Sequence, residues 1–211
     1  MMKRVPDDYF EAMYAQSRDP WQLAGRWYEQ RKYAMTMAML PLPRYRHAYE
    51  PGCSVGVLTE LLAGRCDHVT ATDIAATALE ATAERLTRGG HSDRVTLDRC
   101  SFDSGWPTAD FDLVVLSEVA YYLDAEGLRN VMDRECPRLV AGATLIAAHW
   151  RHPVDDYPMT GDEANFVIAA TAELQSVAHY SDADVVIEVF ANGDAQSVAA
   201  RTGIPGVADP A

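Results

Sequence analysis

The sequence predicts an α/β fold: a mostly parallel sheet of seven strands with one antiparallel edge strand, preceded by an N-terminal helical cap. Three observations carry this. Short apolar runs alternate with longer patterned stretches, as strands alternate with crossover helices. A glycine-containing turn falls directly between the first run and its helix. The last two runs are too close together for a crossover and suit a hairpin. The 211 residues suffice for a sizeable core, and a chain 48% hydrophobic and 23% charged is too apolar to be disordered.

The elements follow in order. From Asp19 to Leu40 a capping Asp, Pro20 at the first helical position and the stop Pro41-Leu42-Pro43 mark a helix, with Gly25 as a break point. Strands are expected near His47–Glu50, His68–Thr72, Arg94–Cys100, Phe111–Leu116 and Ala143–His149. Helices near Val57–Ala63, Ala76–Leu86 and Ala125–Pro137 lie between them. Thr77-x-x-Glu80 is either a capping box or a polar first turn, whereas Thr160-Gly161-Asp162-Glu163 is a clearer box, opening a helix to about Ala172. Leu174–Tyr180 and Val185–Phe190, separated by Ser181 to Asp184, form the hairpin. These elements divide the chain into a helical cap over 1–43, one α/β domain over 44–190 and a loosely held tail over 191–211, rich in Ala, Gly and Pro.

The formal charge of −13 argues against nucleic acid as a partner, because an acidic surface repels phosphates, and mildly favours cationic or amine ligands. Cys53, Cys66, Cys100 and Cys136 have no metal-knuckle or CxxC spacing, so neither a disulfide nor a metal is expected. No secretory signal and no run of about 18 apolar residues is present, so the expected partner is a small molecule rather than a membrane. Cytoplasmic residence is expected, as monomer or homodimer.

The most informative stretch is Tyr49-Glu50-Pro51-Gly52-Cys53-Ser54-Val55-Gly56, at the place where open α/β sheets bind ligands. A dinucleotide fingerprint would read G-x-G-x-x-G and aim a helix at a pyrophosphate. Here Gly52 and Gly56 are four apart, and Glu50 before the turn would oppose a diphosphate but suit an ammonium or sulfonium. Asp73, with Ile74 beside it, falls 21 residues after Gly52, where a carboxylate accepts ribose hydroxyls. Together these features point to S-adenosylmethionine; each acid alone would pass for an ordinary strand-end residue.

With these residues the chain resembles the class I S-adenosylmethionine-dependent methyltransferases, Rossmann-like enzymes whose first motif is acidic-x-Gly-x-Gly-x-Gly. Ser54 stands at the middle glycine position, and small Ser permits the close approach that position needs. The resemblance implies that Cys53 and the turn hold the methionine part. It implies also that Ser101, in the position of the family's Asp, and Phe102 adjoin the adenine. Phe111 to Val119 resembles the family's fourth motif: Leu113–Leu116 reads as a buried strand, and Ser117 and Glu118 sit at its carboxyl end facing the cleft. Val140-Ala141-Gly142 echoes the turn before strand five.

A closer resemblance is to the nodulation methyltransferases of the NodS type, which methylate the free amine of a deacetylated chitooligosaccharide. It is carried by Asp19-Pro20-Trp21, Glu50-Pro51-Gly52-Cys53-Ser54-Val55-Gly56, Leu116-Ser117-Glu118-Val119 with Tyr121-Tyr122-Leu123, and His149-Trp150-Arg151-His152-Pro153. A small polar acceptor with an amine nitrogen is implied by the resemblance alone. The rivals are an O-methyltransferase of a small metabolite and a non-catalytic cofactor-binding module. An amine must lose a proton to attack, and the candidates to take it are Glu118 after strand four and His149 after strand five, with Tyr121 or Tyr122 on the intervening loop. His149 reads equally as a satisfied packing histidine and Tyr122 as a buried ring. The first helix carries Trp21, Trp27, Tyr28, Arg31, Lys32 and Tyr33. It either packs its rings on the sheet or folds over the cofactor, with Arg31 on the methionine carboxylate and Trp21 as an aromatic face.

Overall fold

The computed structural model describes residues 3–206. Strands β1 (Tyr45–Pro51), β2 (Cys66–Asp73), β3 (Val95–Arg99), β4 (Leu113–Ser117), β5 (Thr144–Trp150), β6 (Leu174–Ser181) and β7 (Val185–Asn192) form one sheet. Its order is β3-β2-β1-β4-β5-β7-β6. Each strand overlaps an expected run. β1 to β5 are parallel. β7 alone is reversed, pairing antiparallel with β5 and with β6. The antiparallel strand therefore lies one place in from the edge, with β6 outermost.

Helices α1 (Asp7–Gln16), α2 (Trp27–Met39), α3 (Val57–Arg65), α4 (Ala76–Gly89), α5 (Ala125–Glu135), α6 (Gly161–Ala169) and the one-turn α7 (Val198–Arg201) complete the fold. Alternation along the central strands assigns the two faces. Val114, Leu116, Leu145 and Ala147 pack with Leu128, Met132 and Ile168 of α5 and α6. Leu113, Val115, Ile146 and Ala148 pack with Leu40, Leu58 and Leu62 on the α2 and α3 side. Among the described residues no helix is long and apolar enough to cross a membrane.

Three expectations are revised and one open alternative is settled. The helix expected from Asp19 begins at Trp27, because the Asp19 carboxylate accepts the Leu23 and Ala24 amides at 2.8 and 3.0 Å and closes a single turn. Gln22 in that turn has φ 57°, which reverses the chain. The Thr160 capping box forms, but the N-cap of α4 is Ala75 with no side-chain bond, so Thr77 and Glu80 make a polar first turn. α5 yields to a 3-10 turn at Cys136–Arg138, since Pro137 has no amide to continue the helix. Ala191 and Asn192, placed in the tail by sequence, extend β7, and Ser197 caps α7. Residues 1, 2 and 207–211 of the expected cap and tail lie outside the described residues.

Candidate functional site

The strand order reverses between β1 and β4, and the crevice at such a switch point is where α/β sheets bind ligands. A cavity of about 590 Å³ opens there, within the size range of small-molecule sites. Its first wall is the turn from β1 to α3. The Gly52 and Cys53 amides both donate to the Thr72 carbonyl, at 2.7 and 3.0 Å, which folds the turn back over the end of β2. Ser54 takes φ 51°, a left-handed conformation that opposes any Cβ. Three contacts hold it there. Its amide donates to Asp73 Oδ2 at 2.9 Å, its carbonyl accepts from Thr82 Oγ1 at 2.7 Å, and its hydroxyl meets that of Tyr14.

Glu50 and Asp73 both line this wall and are 3% and 7% exposed. Asp73 also accepts the Ala75 amide at 2.9 Å, and burial raises its carboxyl against the pull of these backbone donors. Glu50 Oε2 is buried with no hydrogen-bond partner. Burial pushes the Glu50 carboxyl up to about 8, with Asp73 adding to it and the neighbouring Thr59 hydroxyl opposing it. A buried, unpartnered carboxylate oxygen facing a cavity is suited to a cationic donor from outside the chain. Asp73 keeps lone pairs for hydroxyl donors. The residues therefore fit S-adenosylmethionine, whose amino-acid end carries an ammonium and whose ribose carries a diol.

The second wall is built around Lys32, 1% exposed, which projects from α2 to Glu118 Oε1 at 2.6 Å and Glu29 Oε2 at 2.7 Å. Burial alone would lower the Lys32 ammonium, but the two carboxylates hold it above its ordinary value. Glu118 lies just past β4 with φ 56°, and its Oε2 accepts from the Tyr121 hydroxyl and, at 2.9 Å, from the Trp150 amide. Burial opposes its ionisation, yet Lys32, His149 and these hydrogen bonds prevail and hold it below the usual range. Tyr28 and Trp150 meet edge to face at 5.1 Å beside this group.

The third wall is the N-terminal segment. Arg4 pairs with Leu123 across an isolated bridge, and the Val5 amide donates to the Tyr122 carbonyl at 2.9 Å. The Arg4 guanidinium donates to Ser101 Oγ and Asp103 Oδ1, both at 3.1 Å. α1 then lies over the turn, with Tyr14 on Ser54 and Glu11 on Arg99 at 2.7 Å.

The residues expected from sequence divide on this map. Trp21, Glu50, Gly52, Cys53, Ser54, Asp73, Ile74, Ser101, Phe102, Ser117, Glu118 and Tyr122 line the cavity together. Gly56 sits behind the turn against Thr82. Arg31 points elsewhere, to Asp182 and Tyr180 at 2.7 Å each. His149 faces α6, because the strand's alternation puts it on the side of Leu145 and Ala147. Its Nδ1 meets Asn165 Oδ1 at 2.7 Å and its Nε2 accepts the Ala120 amide at 3.2 Å, so both nitrogens are occupied, and burial lowers its pKa. It positions the turn that carries Tyr121. Tyr122 joins a ring cluster with Phe10 and Tyr157, and burial holds its phenol well above 10. Sequence reasoning missed the Glu29–Lys32 pair, whose i, i+3 spacing on α2 was its one local signal. It also missed Arg4 and Tyr14, which left none.

The profile of the family Nodulation protein S (NodS) matches residues 11–154. Nodulation protein S of Bradyrhizobium diazoefficiens is 38% identical over 147 residues, 64% of this chain and 68% of that protein. A crystal structure from Pseudomonas syringae, assigned as a methyltransferase, is 34% identical with a TM-score of 0.66, covering 79% of this chain and 99% of that one. N-methyltransferase NodS from Bradyrhizobium japonicum WM9, solved with S-adenosyl-L-homocysteine, has a TM-score of 0.75 over 89% of this chain and 98% of that one. At 22% identity this last likeness shows a common fold.

Proposed function

Since the chain belongs to the nodulation protein S family of S-adenosylmethionine-dependent methyltransferases, we propose that it transfers a methyl group to the amine nitrogen of a small polar acceptor, an amino sugar or amino-oligosaccharide. The observation that carries the amine is the charge of the cavity. Asp7, Glu29, Asp73, Glu118 and Asp184 line it against Arg4, Arg26 and Lys32, and Glu50 joins them once an arriving cation draws off its proton. A cavity with this surplus concentrates cations and disfavours a carboxylate acceptor.

When bound, the cofactor supplies an electrophilic methyl group on a sulfonium. The chain's contribution is alignment and protection, which suffice for much of the acceleration of an in-line displacement. Asp73 accepts the ribose hydroxyls, Glu50 takes the ammonium, and Ser54, held by Asp73, Thr82 and Tyr14, fixes the turn beside the ligand. Ser101 and Phe102 line the adenine end. Tyr28 and Trp150 present rings to cationic groups. α1 and the bridge at Arg4 keep water from the reacting groups. Glu118, bound on both oxygens, fixes Lys32 and Tyr121.

Incubation with methyl-labelled S-adenosylmethionine and fully deacetylated chitotetraose tests the reading. Label recovered on nitrogen, as N-methylglucosamine after acid hydrolysis, is the expected product. Label on a sugar oxygen, as a methyl ether, contradicts it, as does the absence of transfer to any amine.

A further inference from the structure

The two carboxylates that flank Lys32 are in unequal states. Glu118 accepts from Lys32 Nζ, the Tyr121 hydroxyl and the Trp150 amide. It has little capacity left for a proton, and its pKa is lowered although burial opposes ionisation. Glu29, 8% exposed, pairs with Lys32 Nζ through its Oε2 at 2.7 Å, and that ion pair is its side chain's one polar contact among the described residues. One residue earlier, the Tyr28 hydroxyl is also buried without a partner. All four side chains line the cavity. This wall thus carries two negative charges against one positive, with one carboxylate held by a single ion pair and a phenol without a partner among the described residues. Buried polar groups are rarely left so. An ammonium arriving in the cavity balances the charge and gives the phenol oxygen a donor.

We propose that Glu29 is the catalytic proton acceptor, receiving the ammonium of the acceptor beside Tyr28 and taking the proton it must lose. This rests on the amine reading above. One N–H bond breaks, its electron pair stays on nitrogen, and the proton passes to the Glu29 carboxylate. The nitrogen pair then forms the bond to the methyl carbon as the carbon–sulfur bond breaks. That pair returns to sulfur, leaving a neutral thioether and a methylammonium product. The proton on Glu29 leaves to water as product departs.

The surroundings of Glu29 suit the role. Lys32, Tyr28 and Tyr33 face it from α2, Arg26 from the start of that helix, and Glu118 from the end of β4. Asp184, from the turn between β6 and β7, lines the same cavity. Burial lifts the Glu29 carboxyl, Lys32 and Arg26 pull it back, and the balance lies above the ordinary carboxylate value. That favours proton transfer to it.

The test compares pH profiles of turnover on deacetylated chitotetraose for wild type, Glu29→Gln and Glu29→Asp. Affinity for S-adenosylhomocysteine is measured calorimetrically on each. Glu29→Gln is expected to lose about 10²–10⁴-fold in turnover at neutral pH, to keep S-adenosylhomocysteine affinity within about threefold, and to regain rate as hydroxide rises. Glu29→Asp, which keeps the charge, is expected to recover part of the loss and to retain a shifted acid limb. Turnover by Glu29→Gln within about fivefold of wild type overturns the proposal. So does a parallel loss of S-adenosylhomocysteine affinity, or a profile in Glu29→Asp identical to that of Glu29→Gln. Wild-type protein that binds S-adenosylhomocysteine but methylates no amine sinks the amine reading instead, and this proposal with it.

Discussion

At the scale of single residues, the site is a set of acids held in different environments. Glu50 is buried with one oxygen unpartnered among the described residues, whereas Glu118 is half-buried and bonded on both oxygens, and their pKa values move in opposite directions. The Glu50 carboxyl lies at about 8 in the folded chain against 4.5 ordinarily. The native state therefore holds more protons than the unfolded state between those values, and stability falls as pH rises through that window. The stabilisation relative to an ionised side chain is complete below about 4.5 and lost above about 8. The melting temperature of the ligand-free protein, minus that of Glu50→Gln, should fall steadily across the window. Parallel curves would show that Glu50 is ionised throughout. Glu50, Ser54 and Asp73 were legible in the sequence because one loop and one crossover fix their separation. The partnership of Lys32 with Glu118 was not, because they stand 86 positions apart and only the folded sheet brings them together.

At the scale of elements, the cofactor turn depends on how α3 and α4 pack behind it. Gly56 has φ 74°, and a Cβ there would meet Thr82 Cγ2 at 2.7 Å. Thr82 is the residue whose hydroxyl holds the Ser54 carbonyl. Gly56→Ala should destabilise the fold by about 2–4 kcal/mol, from left-handed strain and overpacking together. Urea denaturation should show a lower midpoint at an unchanged slope; an unchanged midpoint would mean that the turn relaxes freely. Strand positions could be read from apolar runs bounded by turn residues, and the box at Thr160 formed because its bonds are local. α1 gave no such sign: its sequence DDYFEAMYAQ has no side-chain N-cap and buries only Tyr14, and its place is set by distant partners, Ser54 and Arg99. The expected helix from Asp19 failed for a related reason. The same Asp that could cap a helix caps a turn when the chain reverses at Gln22.

At the scale of the whole molecule, the sheet order gathers the carboxyl ends of β1, β2, β4 and β5 around one cavity, and the N-terminal segment covers it. The alternation of apolar runs was enough to foresee a sheet with crossovers, because each crossover needs its own helix. Which face His149 takes, and where Arg31 ends, follow from strand alternation and from the hairpin at Asp182, neither of which a local motif records. The molecule's acidity, −13 overall, extends into the cavity and matches a cationic cofactor and an amine acceptor. The central claim is that Glu50 and Asp73 grip the two ends of one nucleoside. Calorimetric titration of S-adenosylhomocysteine into wild type and Asp73→Ala tests it most directly. One site per chain is expected in wild type, with a loss of about 1–3 kcal/mol in the variant from an unpaired ribose diol. Equal affinity in the two proteins would contradict the claim.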